Sequence, residues 1–266
     1  MPGAEIHSSA ASGKRTCVTL LDEPHVRVIL LDIEGTTTPI EFVTQVLFPY
    51  ASRKLEGFLR ENFQDPQIQS LIRGLHTQHR EDERLGLQPP AWAEKSVTEE
   101  LETAIAYTRW LMRKDSKCTA LKSLQGKIWQ KGYASGELRG QLYPDAPPAL
   151  ERWRKQKREI CIYSSGSVLA QRLLFQTTTF GDLTGYIRDF FDTRIGEKAD
   201  SESYKRIAAL LDRAPREVLF LSDAAKEIEA ASAAGCLTAL CDRSRKLGAG
   251  KLGSTVIRTF DEVFPF

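Results

Sequence analysis

Seven residues in this chain have types and spacing that could do chemistry together. Asp32 and Glu34 sit two apart in Asp32-Ile33-Glu34-Gly35-Thr36, so one loop can project both to one side. Ser164 and Ser165 follow an apolar run, and Lys198 closes Gly196-Glu197-Lys198. Asp223 follows Ser222, with Glu227 one helical turn later. Brought together, four carboxylates against one ammonium leave three uncompensated negative charges, and such a set repels itself. A hard divalent cation relieves that repulsion, and oxygen donors without a paired His point to Mg²⁺. A carboxylate–Mg²⁺ pair, a hydroxyl donor and a lysine are parts for phosphoryl transfer.

Three of these groups stand at the ends of strand-like runs. Val26 to Leu31 is short, β-branched and apolar, and runs into the polar loop Asp32 to Pro39. Glu159 to Tyr163 ends in Ser164-Ser165-Gly166-Ser167, and Val218 to Leu221 ends in Ser222-Asp223. Asp189 to Asp192 and Leu237 to Leu240 read as two further strands. Helices are predicted from Pro147 and Pro148 to about Gln156, over Val168 to Phe175, over Ser201 to Leu211, and from Ala224 to Ala234 before Gly235. In open α/β sheets the site lies outside the carboxyl ends of the strands. The candidate residues meet there if their strands are neighbours.

The stretch between the first strand and Gly140 has a different character. Helical periodicity runs through Phe42, Val46 and Leu47, then Leu55, Phe58 and Leu59, then Thr98 to Met112 and Thr119 to Trp129. Gly86 to Pro90 breaks it. The expected fold class is therefore α/β: a doubly wound, Rossmann-like parallel sheet core with an inserted all-helical domain. Residues 1–25 read as a flexible tail, 26–40 and 141–266 as the α/β core, and 41–140 as the helical insert.

Composition narrows the partners. Of 266 residues, 41% are hydrophobic and 27% charged, so a real core is expected rather than disorder. A net charge of +2 gives no reason to expect nucleic acid or a membrane surface as partner. No run approaches the length of a bilayer span, and the first residues carry no apolar signal region. Five cysteines without a C-x-x-C pair argue against a zinc ribbon or a disulfide framework. A monomer in the cytoplasm is expected, with the nucleus a second location in a eukaryotic cell.

The candidate residues also match a known family. Asp32-Ile33-Glu34-Gly35-Thr36 resembles the first motif of the haloacid-dehalogenase-like hydrolases, D-x-[D/E]-G-[T/V]. Ser164 after its strand is similar to the second motif, Lys198 to the third, and Ser222-Asp223 with Glu227 to the fourth. The helical insert falls between the first and second motifs, where this superfamily places its type 1 cap. Within it the resemblance is closest to the enolase-phosphatase (acireductone synthase) family of methionine salvage. It is carried by Leu31 to Ile40, Leu47 to Tyr50, Thr119 to Gly126, Ile162 to Ser167 and Lys198 to Tyr204. It spans Val26 to the C-terminus except Gln64 to Lys95. Glu rather than Asp at position 34 is unusual in the superfamily and is what this family shows.

The resemblance implies roles. Asp32 is the nucleophile and forms an aspartyl-phosphate, and Glu34 gives a proton to the leaving oxygen and then takes one from water. Ser164, Ser165 and Lys198 bind the phosphate, and Lys198 also offsets charge on Asp32. Mg²⁺ is held by Asp32, Asp223 and the backbone carbonyl of Glu34. Glu227 orients water or Lys198. The implied substrate is a small phosphorylated diketone, 2,3-diketo-5-methylthiopentyl-1-phosphate. It is first enolised and then dephosphorylated to the acireductone 1,2-dihydroxy-3-keto-5-methylthiopentene. A diketone can chelate Mg²⁺, which acidifies the adjacent C–H. The enolisation base stays open between Glu34 and a cap residue near Lys122 to Gln125.

Plainer readings stand beside these. Asp32 alone could cap a helix. Ser164 and Ser165 are expected to cap the next helix as well as bind phosphate. Glu227 divides evenly between a site role and a surface helix position. His76 and His79 are expected on a surface helix rather than on a metal. The basic runs Arg152 to Arg158 and Arg243 to Lys246 are expected to be solvated faces. Gly248 to Lys251 fails as a phosphate loop because Arg245 and Leu252 stand where Gly and Ser or Thr are needed. Trp110 and Trp129 are expected in the cap core, Trp129 also as the floor of a methylthio pocket. The alternative function is a Mg²⁺-dependent phosphatase of the same fold acting on another small phosphorylated metabolite. Hydrolytic dehalogenation is disfavoured because it needs neither Glu34 nor a metal. A non-enzymatic interaction protein is the fourth reading.

Overall fold

The computed structural model describes residues 23–244 and 255–265. Cys17 and most of the expected tail, Arg245 and Lys246 of the second basic run, and the Gly248 to Lys251 segment lie outside the described residues. The first strand, β1 (Val28–Leu31), is buried at every position. Side chains alternate across a sheet, so a strand without a polar residue must be covered on both faces. Ile29 and Leu31 pack on one face, with Trp153, Phe175 and Phe260. Val28 and Leu30 pack on the other, with Tyr204, Ile207 and Ala231.

After β1 the chain leaves the sheet for four helices: α1 (Phe48–Asn62), α2 (Pro66–Arg84), α3 (Val97–Arg113) and α4 (Thr119–Ala134). The sequence signals for their starts are in use. Asp65 caps α2 by accepting from the Gln67 N–H at 2.7 Å, with Pro66 in the first turn, and Ser96 caps α3 by accepting from the Glu99 N–H at 3.2 Å. The helix α2 was not singled out from the sequence, although Ile68, Ile72 and Leu75 on its inner face are buried. The periodic residues Phe42, Val46 and Leu47 lie on a π-helical turn, Phe42–Leu47, that leads into α1.

The chain then returns to strand–helix alternation: α5 (Ala146–Lys155), β2 (Glu159–Tyr163), α6 (Val168–Gln176), β3 (Asp189–Phe191), α7 (Ser201–Leu210), β4 (Val218–Ser222), α8 (Ala225–Ala233) and β5 (Leu237–Cys241). A last strand, β6 (Thr255–Ile257), was not foreseen because three residues carry too little periodicity to read. The six strands lie in the order β3-β2-β1-β4-β5-β6 and every pairing is parallel. Strand β1 is thus central, where the order reverses. Leu31 aligns with Ile162 on one side and Leu221 on the other, so the three strands end almost level.

Three plain readings are corrected. His79 is buried at 1% exposure, not on a surface; its Nε2 meets the Pro90 carbonyl at 2.7 Å and its ring packs against Trp92 and Tyr107. The first basic run is only partly a solvated face. Arg152 donates to the carbonyls of Phe260 (2.7 Å) and Phe264 (3.0 Å), and Arg158 donates to the Val26 carbonyl and lies over the Phe264 ring. Arg243 is buried too. It donates to the Thr36 carbonyl at 2.8 Å and pairs with Asp145 at 2.5 Å, between the rings of Tyr143 and Phe260. Charge alone could not reveal these placements, because a run of basic residues reads the same whether its stems face solvent or a chain terminus.

Arg243→Ala leaves the Asp145 carboxylate, itself only 13% exposed, without its cation and with only the Phe260 N–H donating to it. Stability measured by urea denaturation is expected to fall by about 3 kcal/mol.

Candidate active site

The loop after β1 is closed by its own backbone. The Ile33 carbonyl accepts from the N–H groups of Thr36 (3.2 Å), Thr37 (3.0 Å) and Thr38 (2.9 Å), and Gly35 N–H donates to the Thr38 carbonyl at 2.8 Å. Gly35 adopts φ +74, which a side chain resists. The three threonines are fully buried, and Thr37 Oγ1 donates to the Asp32 carbonyl at 3.1 Å. The hydroxyl-rich composition therefore serves a turn with little freedom, and Asp32 sits at its base with 3% exposure.

Thr36, which sequence reasoning missed, joins two strands. Its Oγ1 accepts from the Asp223 N–H at 3.0 Å and donates to Asp32 Oδ2 at 3.2 Å. Its neighbour Gly35 lets Asp223 approach: a Cβ there would stand 2.0 Å from Asp223 Oδ2. The other Asp32 oxygen, Oδ1, accepts from the Lys198 ammonium. Lys198 also pairs with Glu227 Oε2 at 2.6 Å, and the same oxygen accepts from Ser222 Oγ at 2.7 Å. Glu227, divided evenly between a site role and a surface helix position, thus lies against Lys198. The Lys198 backbone is held as well, because Tyr204 donates to its carbonyl at 2.7 Å.

Glu34 also belongs to this centre and reaches β2, where Ser164 Oγ donates to its Oε2 at 3.2 Å. Ser164 Oγ in turn accepts from the Gly166 N–H at 3.1 Å. The cap of α6 is Ser167, which accepts from the Ala170 N–H, and not Ser164 or Ser165. Gln171, another residue not foreseen, is 2% exposed; it donates to the carbonyls of Gly166 and Phe191, both at 2.8 Å, and so pins the serine loop. Ser165 is exposed, and its carbonyl accepts from Lys122 of α4 at 3.3 Å. All seven sequence candidates thus lie around one spot at the strand ends.

The electrostatics carry the strain foreseen from charge counting. Burial, and then the Asp32 and Glu227 charges, push the Asp223 carboxyl up to about 6. Burial, then the Asp32 charge, also raises Glu34 and Glu227 above the ordinary carboxylate range. Burial works against the Lys198 ammonium, but Asp32 and Glu227 outweigh it and hold the lysine charged. One cation cannot satisfy this set. Among the described residues no group of three His, Cys, Asp or Glu side chains is arranged to hold an ion. Two carboxylates, Asp32 and Asp223, beside the peptide of Glu34–Gly35 form an all-oxygen corner that fits a hard divalent cation better than a soft one.

A pocket of about 140 Å³ lies between the core and the helical block. Glu34 and Ser164 to Ser167 line it from the sheet side. Leu121, Lys122, Gln125, Trp129 and Tyr133 of α4 line it from the other, with Leu47, Phe48 and Met112. The tryptophan is fixed by donating to the Leu47 carbonyl at 2.9 Å and stacks on Phe48.

A parallel sheet with its polar centre at the strand ends, covered by a helical cap, defines a Rossmann-like hydrolase with a capped site. The sequence profile of haloacid dehalogenase-like hydrolases matches residues 26–235. Relatives named Enolase-phosphatase E1 are 44% identical in Synechococcus elongatus, covering 90% of this chain and 98% of that one, and 42% identical in Drosophila melanogaster, covering 79% and 80%. The crystal structure of the UTR4 protein of Saccharomyces cerevisiae superposes with a TM-score of 0.70 at 32% identity, over 89% of this chain and 99% of that one. The chain belongs to the haloacid dehalogenase-like hydrolases and, within them, to the enolase-phosphatases.

Gly35→Ala forces a Cβ into the Asp223 carboxylate at a positive-φ position. Phosphate release by the variant is expected to fall by roughly a hundredfold or more, because displacement of about 1 Å at a reacting centre costs that much. The divalent-ion concentration for half-activation is expected to rise. Both follow from initial rates across a metal titration.

Proposed function

We propose that the chain carries out both halves of the enolase-phosphatase reaction in methionine salvage. It enolises 2,3-diketo-5-methylthiopentyl-1-phosphate and then releases phosphate to leave the acireductone 1,2-dihydroxy-3-keto-5-methylthiopentene. The single observation that carries this reading is the buried Asp32 carboxylate, held between Lys198 and Thr36 at the head of the central strand. It is oriented on both oxygens before substrate arrives, so little entropy is lost when it attacks phosphorus.

Each neighbour has a task. Asp32 attacks, and an aspartyl-phosphate forms as the ester oxygen leaves. Glu34, raised above the ordinary carboxylate range by burial and then by the Asp32 charge, gives a proton to that oxygen and then takes one from the attacking water. Lys198 keeps its charge against the phosphoryl oxygens, and Glu227 holds Lys198 in place. The Ser164 hydroxyl and the backbone of the serine loop donate to the phosphate. Asp32, Asp223 and the Glu34 carbonyl would hold Mg²⁺, which would neutralise the charge that develops on the phosphoryl oxygens.

The apolar end of the pocket suits a methylthio group, since Trp129, Phe48, Leu47 and Met112 offer aromatic and aliphatic contacts to a thioether. Cys161, Cys236 and Cys241 are buried free thiols, which accords with a reducing cytoplasm. No helix among the described residues is long and apolar enough to cross a membrane.

A continuous ultraviolet assay on the diketone phosphate tests the proposal. Enol absorbance is expected to rise and then give way to the product, with phosphate release that stops in EDTA and returns with Mg²⁺. Asp32→Asn is expected to release no phosphate and to leave no acid-stable label from ³²P-substrate on the protein. Preference for phosphoglycolate or a sugar phosphate over the diketone would favour the broader phosphatase reading.

A further inference from the structure

The α4 helix presents a graded face to the pocket. Leu121, Gln125, Trp129 and Tyr133 recur every four residues, which stacks them in one ridge, and Lys122 stands beside the first. Lys122 and Gln125 mark the end near the serine loop, and Trp129 marks the apolar end. Seven residues separate Lys122 from Trp129, about 10 Å along the axis at 1.5 Å per residue. That matches a ligand with a phosphate head, a polar middle and an apolar tail.

Two residues mark the polar end. Gln125 is 8% exposed and lines the pocket, where a ligand can reach its amide. Lys122 lines the pocket and has only the Ser165 carbonyl, at 3.3 Å, as partner. The other pocket lysine, Lys117, is more than two-thirds exposed and already paired with Asp115 at 2.7 Å. Lys122 is therefore the pocket cation whose charge no carboxylate balances among the described residues.

We propose that Lys122 and Gln125 form the electrophilic site for enolisation, supplied by the cap, and that they select a vicinal dicarbonyl. The inference rests on the enolase-phosphatase reading above. With phosphate on the serine loop, the carbonyls of the ligand fall beneath Lys122 and Gln125. The proton on the carbon bearing the phosphate ester passes to the Glu34 carboxylate on the pocket floor. The C–H electron pair becomes the new C=C bond, and the carbonyl π pair moves onto oxygen. Water returns a proton to that oxygen. Nothing is oxidised or reduced. The Lys122 ammonium faces the oxygen that gains charge, and the Gln125 amide donates to the neighbouring carbonyl. Donors aimed at developing charge accelerate a step far more than they tighten ground-state binding. The core then needs no further residue for phosphate hydrolysis; the two steps share Glu34, and enolisation alone draws on the cap.

Lys122→Met tests this, with enol formation from the diketone phosphate followed by ultraviolet absorbance and phosphate release followed from an aryl phosphate that has nothing to enolise. Enol formation is expected to fall by roughly a hundredfold, the loss typical for one such donor. Aryl phosphate hydrolysis is expected to fall by a much smaller factor. Gln125→Leu is expected to fall in the same order by less, and Lys122→Arg to recover part of the enolisation rate. Equal losses in both reactions, a larger loss in the aryl phosphate reaction, or unchanged enol formation in Lys122→Met would overturn the proposal. Wild-type protein that fails to enolise the diketone phosphate at all would instead overturn the proposed function. Circular dichroism and thermal melting establish that each variant is folded before its rates are compared.

Discussion

The structure depends on holding several carboxylates together around a buried one, Asp32. Asp32, Glu34, Asp223 and Glu227 converge where three parallel strands end, and Lys198 is the one ammonium among them. Burial and mutual repulsion push three of the four carboxyls up. Such a cluster is costly to the fold, and carboxyls perturbed together in this way mark a functional site. The central position of β1 makes this possible, because only a strand with neighbours on both sides can receive groups from two others at its head.

The surrounding construction limits motion in that cluster. Backbone hydrogen bonds onto one carbonyl, that of Ile33, tighten the loop after β1. The Thr36 hydroxyl ties the Asp32 carboxylate to the backbone at Asp223, and Arg243 reaches in to hold the Thr36 carbonyl. Gln171 does the same for the serine loop. Only Thr36 touches the Asp32 carboxylate, yet each of these residues removes a freedom that the site would otherwise lose when substrate binds.

The helical cap supplies what the sheet cannot. A phosphate site at strand ends is much the same for any phosphorylated metabolite. The rest of the ligand must be recognised by the elements that cover it. The α4 helix lines the pocket along a single ridge that grades from Lys122 to Trp129, and the cap residues share one apolar cluster with a face of the sheet. The carboxylate cluster and the ridge thus lie on different parts of the chain, with Glu34 lining the pocket between them.

Much of this was legible in the residues alone. The apolar runs, their polar ends and the change to helical periodicity set the fold class, because burial on both faces of a strand and on one side of a helix leaves distinct spacings in a sequence. The motif residues Asp32, Ser164, Lys198 and Asp223 could be chosen because their charges and hydroxyls follow strands. What local pattern could not carry was partnership across distance. That Thr36 bridges Asp32 and Asp223, that Glu227 grips Lys198, that Arg243 is buried and His79 lies in an aromatic core all depend on segments far apart in the chain. A sequence records which side chains could bond, and only the packed chain decides which of them come within reach.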